Sequence, residues 1–348
     1  MSKKIISTIL LVLLTLISFG ACSFRSISPN EKIVNLSADS ANVCAVTNNG
    51  NVYFKGGGSS AGRRNGIDSE HAFGYNLRSL VIGDTFFCIY DKGDAVKINY
   101  NTYGGVILTQ DQSIYLFLNE EGENYQTVDY LCSGYVDAQL YREHMIYVLS
   151  DNGEFGFITV DYPDNFHLIA SNIQKFKIRM SKLDMVAMVL TGDNELYIFN
   201  LLDGFDSKAD HFKNVIDFDF IESDCDQSVF GLINSNNEAY ACVGNFKCSY
   251  ESISNEGLKK VGTGIKSVTS HGQGVAMLDV DDNLLVYGSD LSTFDNKNFD
   301  FIYQGEIVLH DIQTISGSTE CLCVVTKEGE FTRYGSNGDN TRTKLKPK

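Results

Sequence analysis

Apolar and polar residues alternate along this chain in short runs, and the runs come in pairs. Residues 43–54, VCAVTNNGNVYF, show the unit: an apolar run, a polar turn and a second apolar run. It recurs as GVILTQDQSIYLF (105–117), IYVLSDNGEFGF (146–157), AMVLTGDNELYIF (187–199), FGLINSNNEAYAC (230–242), AMLDVDDNLLVYG (276–288) and LCVVTKEGEFTRYG (322–335), giving seven copies. Aligned on Gly50, Gln112, Gly153, Asn194, Asn237, Asn283 and Gly329, every copy is apolar two residues later, from Val52 to Phe331. Every copy is also apolar five residues earlier, from Ala45 to Val324. Side chains on a strand alternate between faces, so the pattern predicts an antiparallel hairpin with matching buried faces. The alignment residues are mostly Gly and Asn, which tolerate the positive φ of a tight connection, and Gln112 fits least well. Three residues earlier stand Thr47, Thr109, Ser150, Thr191, Asn234, Val280 and Thr326, mostly small hydrogen-bonding residues where a strand gives way to a turn.

Each hairpin follows an apolar start near Val34, Val96, Val136, Ile173, Ile216, Ile265 and Ile312, at intervals of 62, 40, 37, 43, 49 and 47 residues. That is the size of a four-stranded propeller blade, and seven such units close into a ring without exposed sheet edges. With only three prolines and almost no helical periodicity after residue 22, the expected fold is an all-β, seven-bladed β-propeller over residues 32–348. A β-solenoid is the rival, but its repeats are shorter and more regular. The segments VVTKEGEFTRYGSNGD (324–339) and VYFKGGGSSAG (52–62) resemble repeats of the regulator of chromosome condensation family, in which an Asp-Gly-type turn precedes an aromatic residue, Trp-Gly and a Gly-rich tail. This chain has no Trp. The resemblance implies a seven-bladed propeller. In habitat the nearest analogue is a secreted bacterial β-lactamase inhibitor of similar repeats, which grips a protein with one face of its ring.

The first residues change the picture of where such a ring works. Lys3 and Lys4 precede an apolar run from Ile5 to Phe19, then Gly20, Ala21 and Cys22, which is an export signal rather than fold material. Small residues before a cysteine resemble the lipobox of bacterial lipoproteins. Residues 1–21 are therefore expected to be removed, Cys22 to be lipidated and residues 22–31 to act as a tether; ordinary secretory cleavage is the alternative. The chain carries a formal charge of −16, and loss of Lys3 and Lys4 takes it to −18. Phosphate backbones are bound through Lys and Arg, so nucleic acid is excluded as the expected partner.

Nine cysteines include Cys22, leaving eight for an oxidising compartment. Cys242 and Cys248, in ACVGNFKC, are the best local disulfide pair. Cys321 and Cys323 share a strand face and are expected to pack. Cys44 and Cys323 occupy equivalent places in the first and last units, where packing or a closing bridge is open. The six histidines are scattered and no CxxC pair accompanies them, so no metal and no cofactor are expected. Acidic clusters DVDDN (279–283) and ESDCD (222–226) are not read as calcium loops, and the first lies on the repeated turn, where Asp and Asn serve turn chemistry. GGGSSAG (56–62) lacks the Lys and helix start of a phosphate loop. No GxSxG, HExxH or GxxxxGK[ST] motif occurs, so no catalytic residue is assigned. The long first interval contains GRRNGIDSEHAFGYN (62–76), where Arg63, Arg64, His71, Phe73 and Tyr75 put positive charge and aromatics on an acidic protein and are the candidate partner contacts. The expected function is a monomeric, lipid-anchored, non-enzymatic propeller binding a protein or cell-wall polymer through one face. An exported hydrolase or lyase with an axial site, or an inhibitor of a secreted enzyme, is the alternative.

Overall fold

The structure, a computed structural model, describes Ile27, residues 30–39, 42–55, 86–101, 103–118, 128–141, 144–180, 185–222, 228–244, Phe246, and residues 249–272, 274–289, 301–319, 321–336 and 342–343. These form seven antiparallel sheets, six of four strands and one of three, and each sheet uses consecutive strands. The innermost strands are Ile33–Asp39, Ala95–Asn101, Tyr135–Tyr141, Ile173–Met180, Val215–Glu222, Ile265–His271 and Ile312–Gly317. Each packs against the next, and the first packs against the last. The fold is a closed seven-bladed β-propeller.

The repeated turn explains the repeated sequence. In blade 1 the Gly50 amide donates to the Thr47 carbonyl at 2.9 Å and the Thr47 amide to the Asn51 carbonyl at 3.0 Å. This is a tight turn ending in a left-handed residue. That residue is Gly50 (φ 71°), Gln112 (64°), Gly153 (81°), Asn194 (63°), Asn237 (58°), Asp282 (65°) and Gly329 (91°) in the seven blades. Gln112 thus adopts the conformation for which its side chain is poorly suited. The small polar residue three places earlier accepts a backbone bond that closes the loop: Ser113 N donates to Thr109 Oγ1 at 3.0 Å and Glu154 N to Ser150 Oγ at 3.1 Å.

Blade 6 corrects the alignment by one residue. Its left-handed residue is Asp282, not Asn283, and the loop-closing acceptor is Asp279, which takes the Asn283 amide at 2.8 Å, not Val280. Because the strand period is two, this slip moves every side chain to the other face. Val280 accordingly lies 58 % exposed while Leu284 is fully buried.

A second correction concerns the hairpin faces. Val52 pairs with Val46 and Ala45 with Tyr53, so the two repeated apolar positions lie on opposite faces. Both are buried because each blade is sandwiched between two neighbours, which makes the middle strands apolar throughout. There is accordingly no single central core. Seven apolar clusters lie one per blade interface, from that shared by blades 1 and 2 (Cys44, Val46, Phe54, Ile98, Phe117) to that closing the ring between blades 7 and 1 (Ile33, Val43, Tyr53, Cys321, Cys323, Val325). At that seam Phe86 meets Phe331 edge-on, with centroids 5.0 Å apart. Cys44 and Cys323 do occupy equivalent places, and for that reason they cannot bridge. Equivalent faces point the same way round the ring, so Cys323 faces blade 1 while Cys44 faces blade 2.

Among the described residues one short helix, Tyr250–Glu256, is capped by Ser249, whose Oγ accepts the Ser252 amide at 3.2 Å, and it inserts Ile253 between blades 4 and 5. No helix among the described residues is long and apolar enough to cross a membrane.

Candidate binding face and axial wall

The inner strands build the wall of the axial channel. Six begin with a buried residue and that of blade 3 with the half-buried Tyr135, and in each the next residue is displaced by a register shift in the ladder. Strict alternation then follows, with apolar residues (Leu36, Ile98, Ala138, Phe176, Phe218, Val268, Ile315) turned into the preceding interface. The intervening polar residues turn toward the next blade and bond its backbone. Asn35 Oδ1 accepts the Ile98 amide at 3.2 Å and Ser37 Oγ the Tyr100 amide at 2.9 Å. Asn101 donates to the Leu140 carbonyl at 2.6 Å, and Gln139 exchanges two bonds of 2.9 Å with the Ile178 peptide. These rungs satisfy backbone groups that a sheet edge facing a channel would otherwise leave to water.

Charge concentrates where blades 4 and 5 meet. Lys175 and Lys177 form ion pairs with Asp217 and Asp219, and Arg179 Nε donates to the Phe220 carbonyl at 2.8 Å. Asp219, 6 % exposed, also accepts the Ser270 amide at 2.6 Å and the Thr269 hydroxyl at 3.2 Å, so it ties three blades together. Burial, then Arg179 and Lys175 alongside, push the Lys177 ammonium down, and its ion pair with Asp219 opposes them. Lys97 and Asp137 make a further pair at 2.7 Å between blades 2 and 3. His271, fully buried on blade 6, is driven down to about 3 by desolvation and is neutral at physiological pH.

At the end of the ring where the inner strands begin, the seven hairpin turns form a face. The carbonyl of the left-handed turn residue accepts the first amide of the next inner strand in most blades: Gly50 from Ala95 at 3.0 Å, Gly153 from Ile173, Asn194 from Val215, Asn237 from Ile265 and Asp282 from Ile312 at 2.9 Å. Gly50 sits so close to Gly93 that an added Cβ would lie 2.4 Å from its carbonyl carbon. Asp282 adds ion pairs to Lys266 and to Lys327 of blade 7. The seam between blades 7 and 1 is built differently. Among the described residues no bond joins Gly329 to Ile33, and Thr314 and Ser316 make no rung to blade 1. Lys32 Nζ instead donates to the Lys327 carbonyl at 3.1 Å.

Sequence-predicted residues fall mostly elsewhere. Cys22, Arg63, Arg64, His71, Phe73, Tyr75 and Cys248 lie outside the described residues. Cys242 is a free thiol buried between blades 4 and 5, pushed up to about 12 chiefly by desolvation. Cys321 and Cys323 are free thiols packed at the seam with their sulfurs 3.8 Å apart. The carboxylates of DVDDN are engaged in turn closure at Asp279 and in cross-blade pairing at Asp282. Among the described residues no group of three or more His, Cys, Asp or Glu converges as metal ligands would. The axial wall escaped the sequence reading, although the polar-apolar alternation of IVNLSAD and AVKINYN, once set in register, carries its signal.

No family model matches this chain, and no curated protein matches it. Solved structures do. A chain of the crystal structure of a mitotic checkpoint complex aligns with a TM-score of 0.52 at 11 % identity, covering 87 % of this chain and 86 % of that one. The β-propeller domain of Myceliophteria thermophila Cps50 (Swd1) aligns with a TM-score of 0.53 at 8 % identity, covering 90 % of this chain and 99 % of that one. At such identities the likeness is one of fold.

Proposed function

We propose that this chain is a non-catalytic binding propeller, held on the outer side of a bacterial cytoplasmic membrane by lipid on Cys22, which recognises a protein partner through one face of its ring. The observation carrying the non-catalytic part is the use made of the axial wall. Its described ionic groups are engaged with one another and with backbone across the blade interfaces, and active sites need groups that converge on a substrate instead. A rigid ring presenting loops from every blade suits partner recognition. The export reading is supported by Lys3 and Lys4, the apolar run to Phe19 and the small residues before Cys22.

Two experiments test these parts separately. Cells fed an alkyne-tagged fatty acid should label the wild-type protein and not Cys22→Ser, and the variant should leave the membrane fraction; full membrane retention of the variant would refute the anchor. Crosslinking from intact cells should capture a stoichiometric protein partner. Loss of that partner when residues 62–76 are shortened would assign Arg63, Arg64, His71, Phe73 and Tyr75 to the contact, and unchanged capture would remove them from it.

A further inference from the structure

The residue displaced by the register shift near the start of each inner strand faces solvent on the turn side of the ring. On blades 4, 6 and 7 it is Gln174, Lys266 and Gln313. Gln174 donates to the Thr191 carbonyl at 2.9 Å and Lys266 pairs with Asp282, so the fold accepts, and uses, polar side chains there. On blade 5 it is Ile216, exposed at 37 % but set apart between Gln174 and Lys266, and on the consecutive blades 1, 2 and 3 it is Val34, Val96 and Val136, exposed at 39, 46 and 44 %. A bulge re-aims a side chain, and here it aims three valines outward where the fold requires no apolar group. Their strands are direct neighbours: Tyr100 N donates to Ser37 at 2.9 Å, and Asn99 to Asp137 at 3.1 Å. The valines therefore form one apolar crescent at the mouth of the channel.

The rim beside this crescent is acidic. Asp91 is exposed, and Asp94 directly precedes the inner strand of blade 2. Asp111 and Asp151 lie on the adjoining turns, and Asp111 is held below the usual carboxylate range by bonds from Thr109 and Ser113. Of the nearby cations only Lys97 is neutralised by a carboxylate, and Lys92 and Lys32 keep their charge on neutral partners, which leaves the four carboxylates in excess. Lys97 is paired with Asp137 at 2.7 Å, Lys92 lies 4.1 Å over the Tyr115 ring, and Lys32 bonds the Lys327 carbonyl.

We propose that the Val34, Val96 and Val136 crescent docks an extended apolar segment of a protein partner flanked by Lys or Arg. Apolar contact supplies affinity at the centre, and the acidic rim selects the flanking charge and speeds encounter. The inference rests on the protein-binding reading and specifies its face and partner chemistry. An anionic membrane surface is disfavoured as occupant, because the same carboxylates repel it.

The test uses the full chain and three synthetic peptides: a Leu-Val-Leu-Val core between paired lysines, the same core between paired glutamates, and a serine core between paired lysines. The first should bind at least about 10-fold more tightly than either of the others, a difference of one decade in Kd. The triple variant V34S/V96S/V136S should lose that preference. The variant D91N/D111N/D151N should keep the apolar preference and lose the discrimination between lysine and glutamate flanks. Should the triple serine variant not fold, Val96→Gln substitutes a residue blade 4 already carries in this place, and it should weaken the first peptide several-fold. Equal binding of all three peptides, an unchanged Kd in folded valine variants, or preferential binding of phosphatidylglycerol vesicles would overturn the proposal. The cell crosslinking experiment separates the two readings. If wild type captures no partner, the protein-binding reading fails; if the valine variants capture the same partner as wild type, only the crescent assignment fails.

Discussion

Asp219 is the point at which the axial wall can be tested most directly. Replacing it with alanine removes the partner of Lys177, leaves the Ser270 amide without its 2.6 Å acceptor and takes away the acceptor of the Thr269 hydroxyl, which still receives the Gly317 amide. Breaking a buried pair by deleting one partner costs about 3–5 kcal/mol, much of it from the stranded charge. Lys177 keeps 25 % of its side chain exposed, so water screens part of that charge and the low end, ~3 kcal/mol, is expected. Lys177→Met removes the stranded charge at its source. If the wall works as a network, the double variant should therefore be more stable than the sum of the two single losses predicts, by about 1–3 kcal/mol. Urea titrations at pH 7 followed by far-UV circular dichroism give all four stabilities, compared at equal denaturant dependence. Additivity within about 0.5 kcal/mol would refute the coupling and with it the claim that these charges serve the ring's own interfaces.

Other consequences can be measured in the same way. Gly50→Ala combines a φ of 71° with a Cβ 2.4 Å from Gly93, so urea stability should fall by about 1–3 kcal/mol. Leu284→Ala should cost about 2–5 kcal/mol and Val280→Ala less than about 0.5, an order that reverses if Asn283 rather than Asp282 is the turn residue. His271 titrates near 3 in the fold against about 6.5 unfolded, so the unfolded chain binds the extra proton between those values. Stability should be complete above about pH 6.5 and fall as pH drops, by up to ~1.4 kcal/mol per unit, and His271→Gln should remove that contribution from the pH profile. Phe331→Ala should destabilise the ring by about 2–3 kcal/mol, since it removes the edge-on contact with Phe86 at a seam that, among the described residues, lacks the inner-strand rungs of the other interfaces; a change below about 0.5 kcal/mol would show the seam is held otherwise.

Much of the ring was legible in the chain because its repeat is local. A left-handed residue, a loop-closing hydroxyl three places earlier and two apolar runs occupy about a dozen residues, and each can be recognised from its own conformational or hydrogen-bonding needs. The errors arose where a local signal was ambiguous. In DVDDN both Asp282 and Asn283 tolerate positive φ, and only the packing of Leu284 against blade 7 chooses between them. Val34, Val96, Val136 and Ile216 have the apolar character of strand starts, yet the buried residues are Ile33, Ala95 and Val215 in blades 1, 2 and 5. Composition cannot distinguish a sealing residue from an exposed neighbour one place along.

The unit, its sevenfold recurrence and the chemistry of its turns are written locally along the chain, since these depend on backbone preferences within a few bonds. What the inner strands do follows from closure of the ring. Lys175 meets Asp217 across 42 residues, and Asp219 meets Ser270 across 51, because the closed ring brings equivalent positions of successive blades within bonding distance. That same closure covers both faces of each hairpin, keeps Cys44 and Cys323 on different interfaces, and gathers three separately unremarkable valines into one surface. No single stretch of chain records these pairings, because they belong to the geometry between repeats.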